Sequence, residues 1–275
     1  MLQRCAISAL AVIATFGFAT VAHSQTVPAN KQKAANERRP GAAPRHDISG
    51  IWAPANTFEG IQPFGAGAMP ADGKPEHELP YTPLGLEMFK RNRPANGPTE
   101  VAAAEVNDPG DICDPQGFPR ENLFEVRTTQ IIQTPLQVVV LYIYNKVWRT
   151  IWADGRDLPK DPEPRWYGYS VGKWKDDYTF VVQTNGTDER TWLDNAGRPH
   201  SESLRVEEQF HRVDKDTLEL SMTIDDPKVY TRPWVALDKL RFKLQPPNTD
   251  IREMLCSPSE IAAYNRKHAA PGAKK

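Results

Sequence analysis

Residues 204–224, LRVEEQFHRVDKDTLELSMTI, decide the fold. On an extended chain successive side chains point to opposite faces, so Leu204, Val206, Glu208, Phe210 and Arg212 share one face. Arg205, Glu207, Gln209 and His211 take the other. Asp214-Lys215-Asp216 turns the chain, and Thr217–Ile224 returns as a partner strand. Working back along the chain, Tyr167–Trp174 and Tyr178–Gln183 flank Lys175-Asp176-Asp177, and Leu136–Tyr144 and Val147–Trp152 flank Asn145-Lys146. Asp154-Gly155 marks another turn, and Lys239–Leu244 reads as a closing strand. Sequential hairpins with so few helical segments predict a mainly all-β chain, an antiparallel up-and-down barrel or a strongly curved sheet with short peripheral helices.

Outside the hairpins the composition changes. The stretch from Thr57 to Val106 is rich in Pro, Gly and Ala and reads as wrapping. Within it Thr82 can cap a helix over Pro83–Arg91, with Pro83 suited to the first turn. Ser257-Pro258-Ser259-Glu260 is a capping box that opens a second helix running to about Arg266.

The ends place the chain in a compartment. Residues 1–24 read as a signal peptide: Arg4, an apolar stretch from Ala6 to Phe18, then small residues before a cut between Ser24 and Gln25. That stretch is shorter than the roughly 20 residues a spanning helix needs, and no later segment could cross a bilayer, so no membrane span is expected. Cys5 precedes the apolar stretch, where a lipid-attachment cysteine is not found. Residues 25–46 are poor in large apolar side chains and predict a disordered leader, as do 267–275 for the tail. Between them, 47–266 form a single β-barrel-like domain in a periplasmic or secreted protein. Removing the signal takes away Arg4 and no acid, so 34 basic and 35 acidic residues become 33 and 35, a net charge of −2. This balance gives no electrostatic case for nucleic acid. Cys113 and Cys256 survive processing, and in an oxidising compartment a lone pair forms one bridge. By chain entropy that bridge contributes about 4 to 5 kcal/mol and ties the C-terminal segment to the body. Neither cysteine has a CxxC neighbour or a nearby histidine, which disfavours metal or nucleophilic roles.

Candidate chemistry gathers where the aromatics do. Six of the seven tryptophans fall between Trp148 and Trp234, interleaved with charges as in a lined cavity. Glu208 breaks an apolar face and must find a partner or shift its pKa upward, with Arg212 or Arg149 as the available cation. Residues 188–201, DERTWLDNAGRPHS, are too long and polar for a tight hairpin and predict a loop at the barrel mouth. There His200 can exchange a proton with Asp194 orienting its ring. Trp192 can stack on a flat ligand, and Arg190, beside Asp188, can hold an oxyanion. The competing reading closes this loop on itself through capping and side-chain hydrogen bonds. Tyr167 and Tyr169 add a second aromatic group beside Gly168, Ser170 and Gly172, whose small side chains leave room for a ligand or a packed aromatic. Arg149 and Arg156 flank the Asp154-Gly155 turn. A metal site from Asp188, Asp194, His200 and His211 lacks motif spacing, so no metal is assigned. A phosphate-binding glycine loop, HExxH and a dinucleotide fingerprint are absent, so no cofactor is assigned either.

Two resemblances extend this reading. Gly50-Ile51-Trp52 resembles the Gly-x-Trp opening of lipocalin-like (calycin-type) barrels, a family that sets an arginine of the last strand near that tryptophan; Arg241 is the matching residue. From about Asp47 to Cys256 the chain resembles a family of exported bacterial proteins without settled function. The matching segments are Cys113-Asp114-Pro115 with Gly117 and Pro119-Arg120, Trp148-Arg149, Asp154-Gly155-Arg156, Gly172-Lys173-Trp174, 188–201, and Asp226-Pro227 to Pro233-Trp234. The resemblance implies a secreted β-rich protein. The expected function is capture of a small hydrophobic or aromatic molecule in a barrel cavity. The alternatives are a cofactor-independent lyase, isomerase or hydrolase using His200 or Glu208 as acid or base, and a structural or envelope-interaction protein, favoured if the cavity is filled by the chain itself. No protein partner follows from the sequence.

Overall fold

The computed structural model describes residues 41–55, 65–124, 126–264 and 266–267, all within one compact unit that starts at Pro40. The segments expected to be a signal peptide and, as far as Pro40, a leader, and the tail from residue 268, lie outside the described residues. Nine strands close into a barrel: β1 (Gly50–Pro54), β2 (Thr129–Gln133), β3 (Gln137–Tyr142), β4 (Trp148–Trp152), β5 (Tyr169–Trp174), β6 (Thr179–Asn185), β7 (Arg205–Asp214), β8 (Thr217–Asp225) and β9 (Trp234–Leu244). Closure is made by β9 on β1, with Trp52 opposite Leu244.

The alternation in 204–224 is realised as read. Val206, Glu208, Phe210 and Arg212 face inward, and β7 pairs β8 from Arg205↔Asp225 to Asp214↔Thr217. Asn145 and Lys146 both take positive φ, the geometry of a tight hairpin turn between β3 and β4. One pair departs from the antiparallel meander: β4 and β5 run parallel, Ile151 opposite Ser170. A parallel neighbour requires a return along the barrel, and the proline-bearing connection 153–168 makes it outside the wall. Register shifts on both flanks of β8 add local bends to a closed sheet.

The wrapping is ordered by long-range contacts. Thr82 Oγ1 accepts from the Gly85 amide at 3.0 Å, starting α1 (Pro83–Arg91). A second short helix, α2 (Arg120–Leu123), is buried at every position, though Arg-Glu-Asn-Leu reads as solvent-facing. Helix α3 (Pro258–Tyr264) follows Cys256, which is bonded to Cys113 across a separation of 143 residues. Residues 41–46 extend the folded part ahead of Asp47: the His46 amide donates to Asp177 O at 2.7 Å, and Arg45 pairs with Asp177 at 2.9 Å. No helix among the described residues is long and apolar enough to cross a membrane.

At the barrel's opening strand Trp52 is buried and donates from Nε1 to Ile48 O at 3.0 Å. The guanidinium stacked on it, 4.6 Å from the ring centre, belongs to Arg212 of β7. Arg241 instead turns outward to Glu219 at 2.9 Å, because Phe242 next to it takes the inward position.

Candidate functional site

The barrel interior is occupied by the chain itself. Glu208 is 0 % exposed, and both its oxygens are engaged: Oε1 accepts from Asn122 Nδ2 at 2.9 Å and Arg149 Nη1 at 3.3 Å, and Oε2 from Arg149 Nη2. Arg149 Nε donates to Ser170 Oγ at 3.0 Å, and its guanidinium lies 3.8 Å from the Phe118 ring centre. Burial opposes the Arg149 charge, but the adjoining Glu208 carboxylate prevails and raises its pKa. Asn122 and Phe118 come from α2 and its approach, so the wrapping plugs the lumen. What remains among Trp52, Asn122, Val140, Phe210 and Phe242 is a void of about 20 Å³, room for one water at most. The space beside Gly172 is also taken: a Cβ there would sit 2.3 Å from the Phe180 ring. Small residues on β5 accommodate packed aromatics and Arg149, with no ligand volume left over.

The loop 188–201 closes on itself and on the wrapping. Asp194 accepts from the amides of Ala196 at 3.0 Å and Ala66 at 3.1 Å, and Asn195 Oδ1 from Gly65 at 3.1 Å. Arg198 Nη1 donates to Asp194 Oδ2 at 3.3 Å and to Met69 O. His200 is fully buried, its Nε2 2.7 Å from Thr191 Oγ1 and its Nδ1 3.2 Å from Ser201 O. Burial lowers its pKa and keeps the ring neutral. A carbonyl only accepts, so the ring proton belongs on Nδ1. Asp226 takes the Ser201 amide at 2.6 Å and its hydroxyl at 2.8 Å.

The predicted site residues are therefore dispersed. Arg149 meets Glu208 across the interior, Cys113 is bonded to Cys256, and Arg190 meets its near neighbour Asp188. Arg190 folds back on Asp188 at 2.6 Å and stacks on Trp166 at 4.3 Å, while buried Trp192 lies 5.7 Å from Arg120. Tyr167 donates to Glu121 Oε1 at 3.2 Å, Tyr169 lies under Arg165 at 4.1 Å, and Arg156 pairs with Asp154 over Trp152. His200 and Glu208 do not touch solvent, and no group of three or more His, Cys, Asp or Glu among the described residues could hold a metal.

Open volume lies outside the wall. A groove of about 870 Å³ runs past Ala103, Val106, Ile112, Arg190 and Tyr264. A second cleft, of about 590 Å³, is framed by segment 70–81, α1 and Pro98. Its walls are Leu79, Pro80, Leu86 and Phe89; its polar groups are Lys74, His77, Glu78, Tyr81 and Arg198. Tyr81 and Phe89 stack at 5.3 Å, and Tyr81 continues through Tyr230 at 5.3 Å to Trp234 at 5.5 Å. Burial raises the Tyr81 pKa, with Arg198 pulling the other way, so its hydroxyl stays protonated. His77 Nδ1 lies 2.9 Å from Asp72 Oδ1, and that hydrogen bond lowers the Asp72 pKa to about 2. An apolar cleft of this size with a few convergent polar groups is the usual form of a small-molecule site. Sequence reading passed over Asp72, His77, Tyr81, Phe89 and Arg198; the available signal was the pairing of acid and imidazole five residues apart in a proline-rich, aromatic-bearing stretch.

Comparison with protein-family models, curated proteins and solved structures gives no match for this chain.

Proposed function

We propose that this is an exported protein that captures a small molecule with a flat, apolar body in the cleft between segment 70–81 and α1, outside the barrel. The observation that carries this reading is the pairing of a 590 Å³ cleft, with stacked Tyr81 and Phe89 and a guanidinium at its floor, with an interior void of only about 20 Å³. Location in the periplasm or outside the cell is supported by the signal-like segment 1–24 and by the Cys113–Cys256 bridge. Kinship with exported bacterial proteins rests on the segments quoted above.

Equilibrium dialysis of the mature protein against 4-nitroanisole tests the reading. Saturable binding is expected. Loss of one aromatic wall in Phe89→Ala should weaken it by about threefold to tenfold, while Tyr142→Phe, inside the barrel, should leave it unchanged. No binding, or the reverse sensitivity, would sink the assignment.

A second reading, a structural or envelope-interaction protein, draws on the plugged lumen and on an apolar outer face where Ile132, Leu136 and Trp148 are exposed, the last to 65 %. Capture is preferred because the cleft supplies both an aromatic wall and hydrogen-bonding groups.

A further inference from the structure

The cleft carries a titratable pair that apolar capture does not use. Asp72 Oδ1 lies 2.9 Å from His77 Nδ1, and Lys74 Nζ is 3.3 Å from Asp72 Oδ2. A carboxylate only accepts, so in the neutral ring the proton sits on Nδ1 and Nε2 offers a lone pair. His77 lines the cleft, and among the described residues Nε2 has no hydrogen-bond partner. A ligand satisfying that atom must bring a donor.

The other charged and titratable groups facing the same space are Lys74, Glu78, Tyr81 and Arg198; α1 adds only apolar Leu86 and Phe89. Two cations line the cleft, Lys74 paired with Asp72 at 3.3 Å and Arg198 with Asp194 at 3.3 Å, and Glu78 is the carboxylate among the lining residues. Tyr81 is held protonated and can donate. An imidazole fixed by a carboxylate, beside donors able to face a developing oxyanion, is the geometry of a proton acceptor.

We propose that the cleft takes a phenol and that His77 removes its proton as the ligand seats, oriented by Asp72. This rests on the cleft being the ligand site. The phenolic O–H bond breaks and the Nε2–H bond forms. The electron pair stays on the phenolate oxygen, facing the cations and the Tyr81 hydroxyl, and the proton resides on an imidazolium facing the Asp72 carboxylate. Transfer to an imidazole is nearly balanced only when the hydroxyl is itself acidic near neutrality. The ligand class is therefore phenols bearing an electron-withdrawing substituent, with an otherwise apolar ring.

4-Nitrophenol reads binding and ionisation separately, because its phenolate absorbs visible light and its neutral form does not. The mature protein is titrated at about pH 7, above the ordinary imidazole value, against a blank of free probe at the same pH, with dialysis run in parallel. The expected result is a phenolate band from bound probe. In His77→Gln the affinity should fall by no more than about threefold, the loss of one hydrogen bond, while the phenolate band per bound probe falls at least about fivefold. Asp72→Asn, a positioning variant, should give an intermediate band. If the probe binds but stays neutral in the native protein, or ionises equally in His77→Gln, proton transfer is overturned while capture stands. If dialysis shows no binding of 4-nitrophenol or 4-nitroanisole, both readings fail.

Discussion

Arg149 and Glu208 face each other across the barrel from β4 and β7, and each would be costly alone in a sealed interior. Ser170, Thr184 and Asn122 take the remaining hydrogen-bonding capacity, with Ser170 and Thr184 also bonded to each other at 2.9 Å. Removing one partner leaves an uncompensated charge, so Glu208→Ala should destabilise by about 3 to 5 kcal/mol. The double variant Arg149→Met with Glu208→Leu should recover most of that loss, as measured by the urea unfolding midpoint. A single variant as stable as the native protein would contradict the sealed pair. At this scale the sequence was half legible. Glu208 announced itself by breaking an apolar face, but two arginines could answer it. Arg212 proved to be spent on the carbonyls of Asp47, Asp214 and Lys215. His77 and Tyr81 carried no such alternation, since their neighbours in space, Arg198 and Tyr230, lie more than a hundred residues away.

Among elements, the hairpins were legible because strand alternation and turn chemistry are local. Strand β2 was not, since Thr129, Gln130 and Gln133 dilute its apolar residues. The loop 188–201 misled for a related reason: polarity that suggests a solvated mouth here satisfies buried backbone amides of Gly65, Ala66 and Ala196. Helix α2 gave no sequence signal of its burial, because Asn122 meets its partner 86 residues further on. The C-terminal segment is fixed twice. The Cys113 bridge is joined by hydrogen bonds at the β3–β4 turn, where Asn145 donates to Met254 O at 2.6 Å and accepts from the Cys256 amide at 2.7 Å. With 143 residues between its ends, the bridge contributes about 5 kcal/mol by loop entropy. Replacing both cysteines by serine should lower stability by up to about that amount and raise hydrogen exchange in α3 before any change in β6–β8. Uniform exchange across α3 and these three strands would show that the bridge does not act locally.

For the whole molecule, closure depends on one short strand. β1 pairs with β2 over Gly50–Trp52 and with β9 over Trp52–Pro54, so five residues join the two ends of the sheet. An opened barrel would present two unpaired edges, β2 and β9, each a template for another chain. Deleting the chain through Pro54 should therefore convert a monodisperse protein into concentration-dependent aggregates, read by light scattering, whereas deletion to Pro40 should not. A truncation through Pro54 that stays monodisperse would mean the wall holds without β1.

The plug imposes an order of assembly. Phe118, Asn122 and Leu123 precede β2 in the chain yet end inside the finished wall. A cylinder already zipped shut would have no entrance wide enough to admit them. The stretch around α2 must be laid across the sheet while it is still curling, so the lumen is furnished before its last seam is sewn. Newly made chains that join β1 to β9 too early would trap a hydrated hollow and have to reopen.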